Sequence, residues 1–375
     1  MRANGDYRFI SSDSHIYEPV DLWTARMDKK FRERAPRVDS KPEGDYYIID
    51  GVPPVPVGID GAILEQKLKT GTVEHGFKGN RHTDARPQAS DPRLRLGDQD
   101  LDNLRAEVIY PNTWELRIYN APDPEYAAAC ATTYNAWLAD FCATDLERLI
   151  GVPVITCKGD IEFSVREVER CAKLGFRTVH VPVDVVERPY CMGTYYDPLW
   201  ATCQDLDLVV ATHIGATTAP ASLTRMQAGT PVAYIASTAR MMPQTLGNFI
   251  GGGILQRFPK LRVVMVECGI GWIPSVLRFM DKFWSINRKW MEPVLDERPS
   301  FYFKRQMFAT FEGSKEDLSA RQFLGSDRFL WGSDYPHTEG TFPRSKHDVT
   351  EDFSDLPDED VRKITEANAA RLYGI

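Results

Sequence analysis

The sequence predicts an α/β chain closed as a distorted (β/α)8 TIM barrel with a long insertion after its first strand. Three observations carry that expectation. From residue 100 onward short β-branched runs alternate with stretches of helical period, eight such runs can be counted along the chain, and histidines and acidic residues fall at their ends. At 375 residues the chain exceeds the usual single-domain size. Barrels nevertheless run past about 250 residues as one domain when their loops carry insertions. A doubly wound open sheet would use the same alternation, but a closed barrel is the simpler solution for eight strands.

The first strand is expected over residues 8–14. Residues 19–98 follow, rich in Pro, Gly and charge (KPEGDYYIIDGVPPVPVGIDG), and too long for a plain connection, so they are expected to form an insertion over the active-site mouth. Within it the pairs Tyr46-Tyr47 and Ile48-Ile49 predict a small hairpin. Further strands are expected at 106–111, 149–155, 176–182, 206–213, 261–267, 306–311 and 329–333. Helices are expected at 124–144, 161–174 and 274–290, with 358–372 closing the chain. Residues 215–230 read as a second irregular stretch, and Gly251-Gly252-Gly253, followed by no phosphate-binding lysine, as a helix end. No internal repeat interrupts this order, so residues 1–375 are expected to form a single domain.

Composition narrows the function. A formal net charge of -8, with no basic run, argues against nucleic acid or an anionic membrane as partner. The N-terminal MRANGDYRFISSDSH has no long apolar stretch, which fits neither a signal peptide nor a membrane span and gives a cytoplasmic expectation. Seven scattered cysteines without a CxxC pair suit reduced thiols packed as small buried hydrophobes. There is no GxSxG elbow.

Chemistry in a barrel sits at the C-terminal ends of the strands. Asp13 and His15 end the first strand in SSDSHIYEP, and their two-residue spacing points both side chains to one face of an extended segment. His213 ends the fifth strand in LVVATHIG and Asp334 the eighth in FLWGSDYPH. Each residue alone reads as a loop hydrogen-bonder, whereas together they can aim two imidazoles and two carboxylates at one divalent cation. Such a mixed set suits Zn, Mn or Fe, with two carboxylates leaning towards Mn or Fe.

The segments DSHIYEPVDLW, RLGDQDLDNLRAEVIYPN, ATHIG, VVMVECGIGWIP and WGSDYPHTEG together resemble the amidohydrolase-related proteins that include aminocarboxymuconate-semialdehyde decarboxylase and the resorcylate decarboxylases. The resemblance runs from about residue 8 to the C-terminus. It implies a distorted barrel, an assembly of two or more copies, and a metal bound by Asp13, His15, His213 and Asp334. The chain departs from the family pattern at three places. Asp13 stands where the wider superfamily usually has His. Glu267 stands where the decarboxylases carry a His, so it is a candidate metal ligand or general base. His180, ending the fourth strand in FRTVHVPV, can join Glu267 in a second metal site or can be a core imidazole bonded to a neighbouring carbonyl.

Among the remaining candidates, His337 is expected to orient Asp334 or touch substrate, and Glu18 to anchor its loop. His75 and His82 lie in the insertion, where His82 can close over a substrate. Trp114 can line the pocket, and Arg93 or Arg95 can receive a substrate carboxylate, although a solvated loop is the plainer reading of both arginines. The function expected is metal-dependent hydrolysis or non-oxidative decarboxylation of a small carboxylate-bearing molecule, with Asp334, Glu267 and His337 catalytic. A dinuclear Fe or Mn oxygenase is the first alternative, and a non-catalytic subunit paired with an active homologue the second.

Overall fold

The computed structural model describes residues 7–57, 64–71, 79–112, 117–219 and 241–375. Its strands are β1 (Phe9–His15), β2 (Arg37–Lys41), β3 (Gly44–Ile49), β4 (Val52–Pro56), β5 (Leu104–Tyr110), β6 (Leu149–Gly151), β7 (Thr178–His180), β8 (Val209–His213), β9 (Arg262–Val266), β10 (Met307–Phe311) and β11 (Phe329–Trp331). All but β2, β3 and β4 are parallel and form two arcs, β1-β5-β6 and β11-β10-β9-β8-β7. Single parallel bridges join the arcs at both seams, Val154 to His180 and Ser14 to Tyr335. At the second seam Asp334 N–H also donates to the Asp13 carbonyl at 2.8 Å. The ring is therefore the eight-stranded barrel, distorted where the ladders thin to bridges.

Side-chain alternation places the chemistry. Ile10, Val108, Ile150, Val209, Ala211, Val264, Phe308 and Leu330 form one buried cluster inside the ring, as expected when alternate residues of each strand point inward. Counting two residues at a time from that layer brings Tyr110, His213 and Thr310 to the C-terminal end of the lumen, where the His180 ring meets those of Tyr110 and His213. The opposite end is plugged by Asn368–Tyr373, whose Ala369, Leu372 and Tyr373 join the same cluster. Arg177 and Arg262 hold that plug by donating to the Tyr373 and Leu372 carbonyls.

The expected elements occur with shifted ends: the helices are Pro124–Cys142, Ile161–Lys173 and Ile273–Asn287. The closing helix is broken, with a π turn at Lys363–Ala367 between Asp358–Arg362 and Asn368–Tyr373. Two expectations for the insertion need correction. The small hairpin is a three-stranded antiparallel sheet, β2-β3-β4. The stretch read as a solvated loop around Arg93 and Arg95 is the helix Pro92–Leu101, started by Pro92 and by Asp91, whose carboxylate accepts from the Arg93 and Leu94 amides. Cys191 is exposed, unlike the six other free cysteines. No helix among the described residues is long and apolar enough to cross a membrane.

Candidate metal centre

Asp13, His15, His213 and Asp334 lie together and are at most 2 % exposed. His15 Nε2 is 3.6 Å from Asp13 Oδ1 and 3.3 Å from Asp334 Oδ1, and His213 Nε2 is 3.6 Å from Asp13 Oδ1. These four facing atoms have no hydrogen-bond partner although all are buried. Donors about 2.0–2.2 Å from a common ion stand about 3.0–3.6 Å apart, so the spacing of Asp13, His15 and His213 fits one cation, and Asp334 adjoins it through His15, with which it forms a second set together with His337.

The rest of each side chain is spoken for. His15 Nδ1 is 3.0 Å from the Pro111 carbonyl and His213 Nδ1 2.8 Å from that of Ile214. A carbonyl only accepts, so each Nδ1 carries the proton and each Nε2 presents a lone pair to the cluster. Thr310 donates to Asp13 Oδ2 at 3.3 Å and accepts from the Glu267 amide at 2.7 Å, tying the ends of β1 and β9 together. Behind His15 the fully buried Arg95 donates to the His15 carbonyl and to Glu107, both at 2.7 Å. Thr310 and Glu107 were not among the sequence candidates, and Arg95, expected to receive a substrate carboxylate or to lie in a solvated loop, is instead a buried support of the His15 strand end. The cap at Asp91-Pro92 was the available signal for Arg95, because it starts a helix that turns this side chain inward.

Glu267 and Asp334 both sit at left-handed backbone, φ +53° and +54°. For residues other than glycine this is uncommon and clusters at functional sites. Glu267 Oε2 lies 3.4 Å from His213 Nε2, with a quarter of the side chain exposed. It shares with Asp334 and Glu339 a set of carboxylate oxygens within 4.8 Å of one another. His337 Nδ1 hydrogen-bonds Asp334 Oδ2 at 3.2 Å, leaving Oδ1 to the cluster, and its ring stacks on His15 at 4.1 Å.

Electrostatics point the same way. Burial, then the charges of Asp334 and Asp13, push the Glu267 carboxyl well above its usual range. Burial, then Glu312 and Asp13, do the same to Asp334. Partial burial, then the charges of Asp13 and Glu339, push the half-buried Glu312 up to about 7. Burial with His337 and His213 nearby holds His15 well below the ordinary imidazole value. Burial pulls His213 down too, but Asp13 and Glu267 outweigh it and raise it. A negative field that favours a proton on His213 favours a cation in the same place.

Other candidates fall outside this cluster. His180 is fully buried, and its Nδ1 lies 2.8 Å from the Tyr119 hydroxyl. It enters no set of three donor atoms within 4.8 Å among the described residues, so the second site expected from His180 with Glu267 is not assembled. His82 Nε2 is 2.9 Å from the Glu18 carbonyl and its ring packs on Tyr17, which ties it to the wall behind the centre. Glu18 accepts from the Asn112 amide at 3.4 Å. Arg93 is exposed on its helix, where no polar contact links its side chain to the centre. Trp114 and His75 lie outside the described residues, as does most of 215–230.

Comparison with known families decides the chain's ancestry: the amidohydrolase family profile matches residues 120–375. The chain belongs to the amidohydrolase family. Solved amidohydrolase-fold structures are similar over the whole length. One, an amidohydrolase from Mycobacterium avium subsp. paratuberculosis, superposes with a TM-score of 0.77 at 22 % identity, covering 98 % of both chains. Another, 5-carboxyvanillate decarboxylase from Novosphingobium aromaticivorans, complexed with manganese and 4-hydroxy-3-methoxy-5-nitrobenzoic acid, gives 0.68 at 18 % identity, covering 98 % of this chain and 96 % of that one. The 2,6-dihydroxybenzoate decarboxylase from Rhizobium gives 0.65 at 18 % identity, covering 98 % of each. A comparison with curated protein sequences returns no match.

Proposed function

We propose that this amidohydrolase is a metal-dependent enzyme that removes CO2 without oxidation from a small carboxylate-bearing molecule. The observation that carries the reading is the clustering around His15 of buried, unpartnered donor atoms from Asp13, His213 and Asp334. Burying this many carboxylates with no Lys or Arg ion-paired to them is costly, and a divalent cation, Mn, Fe or Zn, would offset that cost. Such an ion, when bound, supplies Lewis acidity towards the substrate carboxylate and an adjacent oxygen. Among the solved relatives, a carboxyvanillate decarboxylase complexed with manganese and a dihydroxybenzoate decarboxylase support this choice of reaction.

Glu267, at the exposed rim of the cluster, is placed to deliver the proton that replaces CO2 on the substrate carbon, and its surroundings favour the protonated acid. His337 holds Asp334 by its 3.2 Å hydrogen bond to Oδ2, so the carboxylate keeps one orientation. The Asp334-His337 pair also favours a second reading, hydrolysis, in which Asp334 accepts a proton from water and passes it to His337. The reactions separate on a panel of hydroxybenzoates and amides: decarboxylation releases one CO2 per turnover, and hydrolysis none. His213→Ala is expected to lose bound metal and activity while keeping its circular-dichroism spectrum. Full activity in metal-free protein, by elemental analysis, would overturn the assignment.

A further inference from the structure

The turn that carries Glu267 is held at both ends from the neighbouring strand. Glu267 leaves β9 with its left-handed backbone, which in a residue other than glycine costs free energy and persists only where the surroundings over-determine it. At the start of the turn the Glu267 amide donates to the Thr310 hydroxyl of β10. Within it the Trp272 indole donates to the Cys268 carbonyl at 2.8 Å. At its end the Ile270 and Gly271 amides both donate to Oδ1 of Asp317, at 2.9 Å and 2.6 Å. Asp317 follows β10 in the short helix Lys315–Leu318. The cation beside it in sequence, Lys315, pairs with Asp355 instead, so the Asp317 charge is met by the two amides. A Cβ built on Gly271 would lie 3.0 Å from Oδ1, and glycine at 271 is what lets the carboxylate come this close without a shift.

We propose that Asp317 is a positioning residue: by fixing the far end of the turn it keeps the Glu267 carboxyl at the rim of the metal centre, 3.4 Å from His213. The inference rests on the reading of Glu267 as the group that hands a proton to the substrate carbon. Thr310 fixes only the amide of Glu267. With the far end released, φ of Glu267 would relax to the ordinary negative range and turn the side chain off the cluster. A carboxylate suits the task because it takes two amides on one oxygen, and holds them more strongly than a neutral acceptor. The helix of Asp317 does not itself require that carboxylate, since the Ser314 side chain already caps it by accepting from the Asp317 amide at 3.0 Å. β9 and β10 are neighbours in the ring, so the loop of one strand steadies the acid of the next.

Manganese-loaded, full-length protein carrying Asp317→Ala or Asp317→Asn tests the assignment. The asparagine keeps an oxygen that can accept both amides, and the alanine has none. A reacting group misplaced by about 1 Å can cost about 10²-fold, so Asp317→Ala is expected to lower kcat about 10–100-fold with KM and metal content unchanged. Asp317→Asn, which loses only the charge, is expected to stay within about threefold of the wild type. In the Glu267→Gln background, Asp317→Ala is expected to cost less than about twofold more, because the acid it serves is already gone. Hydrogen exchange supplies a readout that needs no substrate. In Asp317→Ala the amides of Glu267, Ile270 and Gly271 are expected to exchange at least about tenfold faster, and those of β8 at unchanged rates. If a panel of hydroxybenzoates gives no turnover, the reading of the reaction fails, and exchange at Glu267 alone decides whether Asp317 holds the turn. Wild-type protection at Glu267 in Asp317→Ala, a wild-type kcat, or the same fold loss with and without the Glu267 carboxyl would each overturn the proposal. Should Asp317→Ala not fold, Gly271→Ala, which sets a Cβ against the carboxylate, replaces it in both measurements.

Discussion

His15 and His213 each use one ring nitrogen on a backbone carbonyl and leave the other facing carboxylates. The carboxylate most exposed among them is Glu267, and its amide form cannot release a proton. Glu267→Gln is therefore expected to keep its metal content and KM while kcat falls by about 10²–10⁴-fold, the usual range for loss of a positioned acid. A kcat within tenfold of wild type would remove Glu267 from proton transfer. Away from the centre, Asp102 gives a pH prediction. Burial raises its carboxyl to about 6, although Ser345 donates to it from both its amide and its hydroxyl. A carboxyl raised on folding binds its proton more tightly in the native state, so its cost grows as pH climbs from about 4 to 6 and is constant above. Asp102→Asn can still accept from the Ser345 amide and donate to its hydroxyl oxygen. Relative to wild type it should gain stability across that window, levelling about 3 kcal/mol above its low-pH difference, as urea unfolding at successive pH values would show. A difference that does not change with pH would contradict this account.

Strands carry the next scale of argument. At the seam between β1 and β11, a Cβ built on Gly332 would lie 2.4 Å from Asp13 Cβ. The two backbones approach this closely only because residue 332 is glycine. Gly332→Ala is expected to displace Asp13 and weaken metal binding at least tenfold, read by competition with a chelating dye. Unchanged affinity would show that the seam yields. The same scale explains what could be read in advance. Barrel strands are buried on both faces and so appear in a sequence as β-branched runs, and a strand end is where Asp13, His15, His213 and Asp334 stood out. Period two from the lumen also accounts for Thr310, but a threonine inside a strand has a bland reading as a sheet former. Arg95 and Arg93 look alike in DPRLRLGDQD, and only the helix phase, set by the Asp91 cap, sends one into the core and leaves the other in solvent. The three-stranded sheet β2-β3-β4 was half visible, because Val52–Pro56 carries three prolines and prolines suit only an edge strand.

At the scale of the molecule, the insertion touches the loop that bears Asp334 and His337. Lys67 donates to the carbonyls of Thr338 and Gly340, and Leu64 packs with Tyr335 and Phe342. Position 334 thus answers to a segment 270 or so residues earlier, which periodicity within one window does not register.

The two bridged seams have a thermodynamic consequence. Asp13 and His15 stand on the arc β1-β5-β6, whereas His213, Glu267 and Asp334 stand on or just beyond the strands of the other arc. An ion held by both sets would clasp the barrel where its own ladder is thinnest, making ion binding and ring closure linked equilibria. Saturation at a hundredfold excess over Kd adds about 2.7 kcal/mol to unfolding. Chelation should accordingly lower Tm. It should also speed hydrogen exchange most at the seam amides of His15 and Asp334, which donate to the Tyr335 and Asp13 carbonyls across the join, and least along β8-β9, whose ladder is continuous. Uniform acceleration along all strands would mean that the cation is a passenger in a ring already shut.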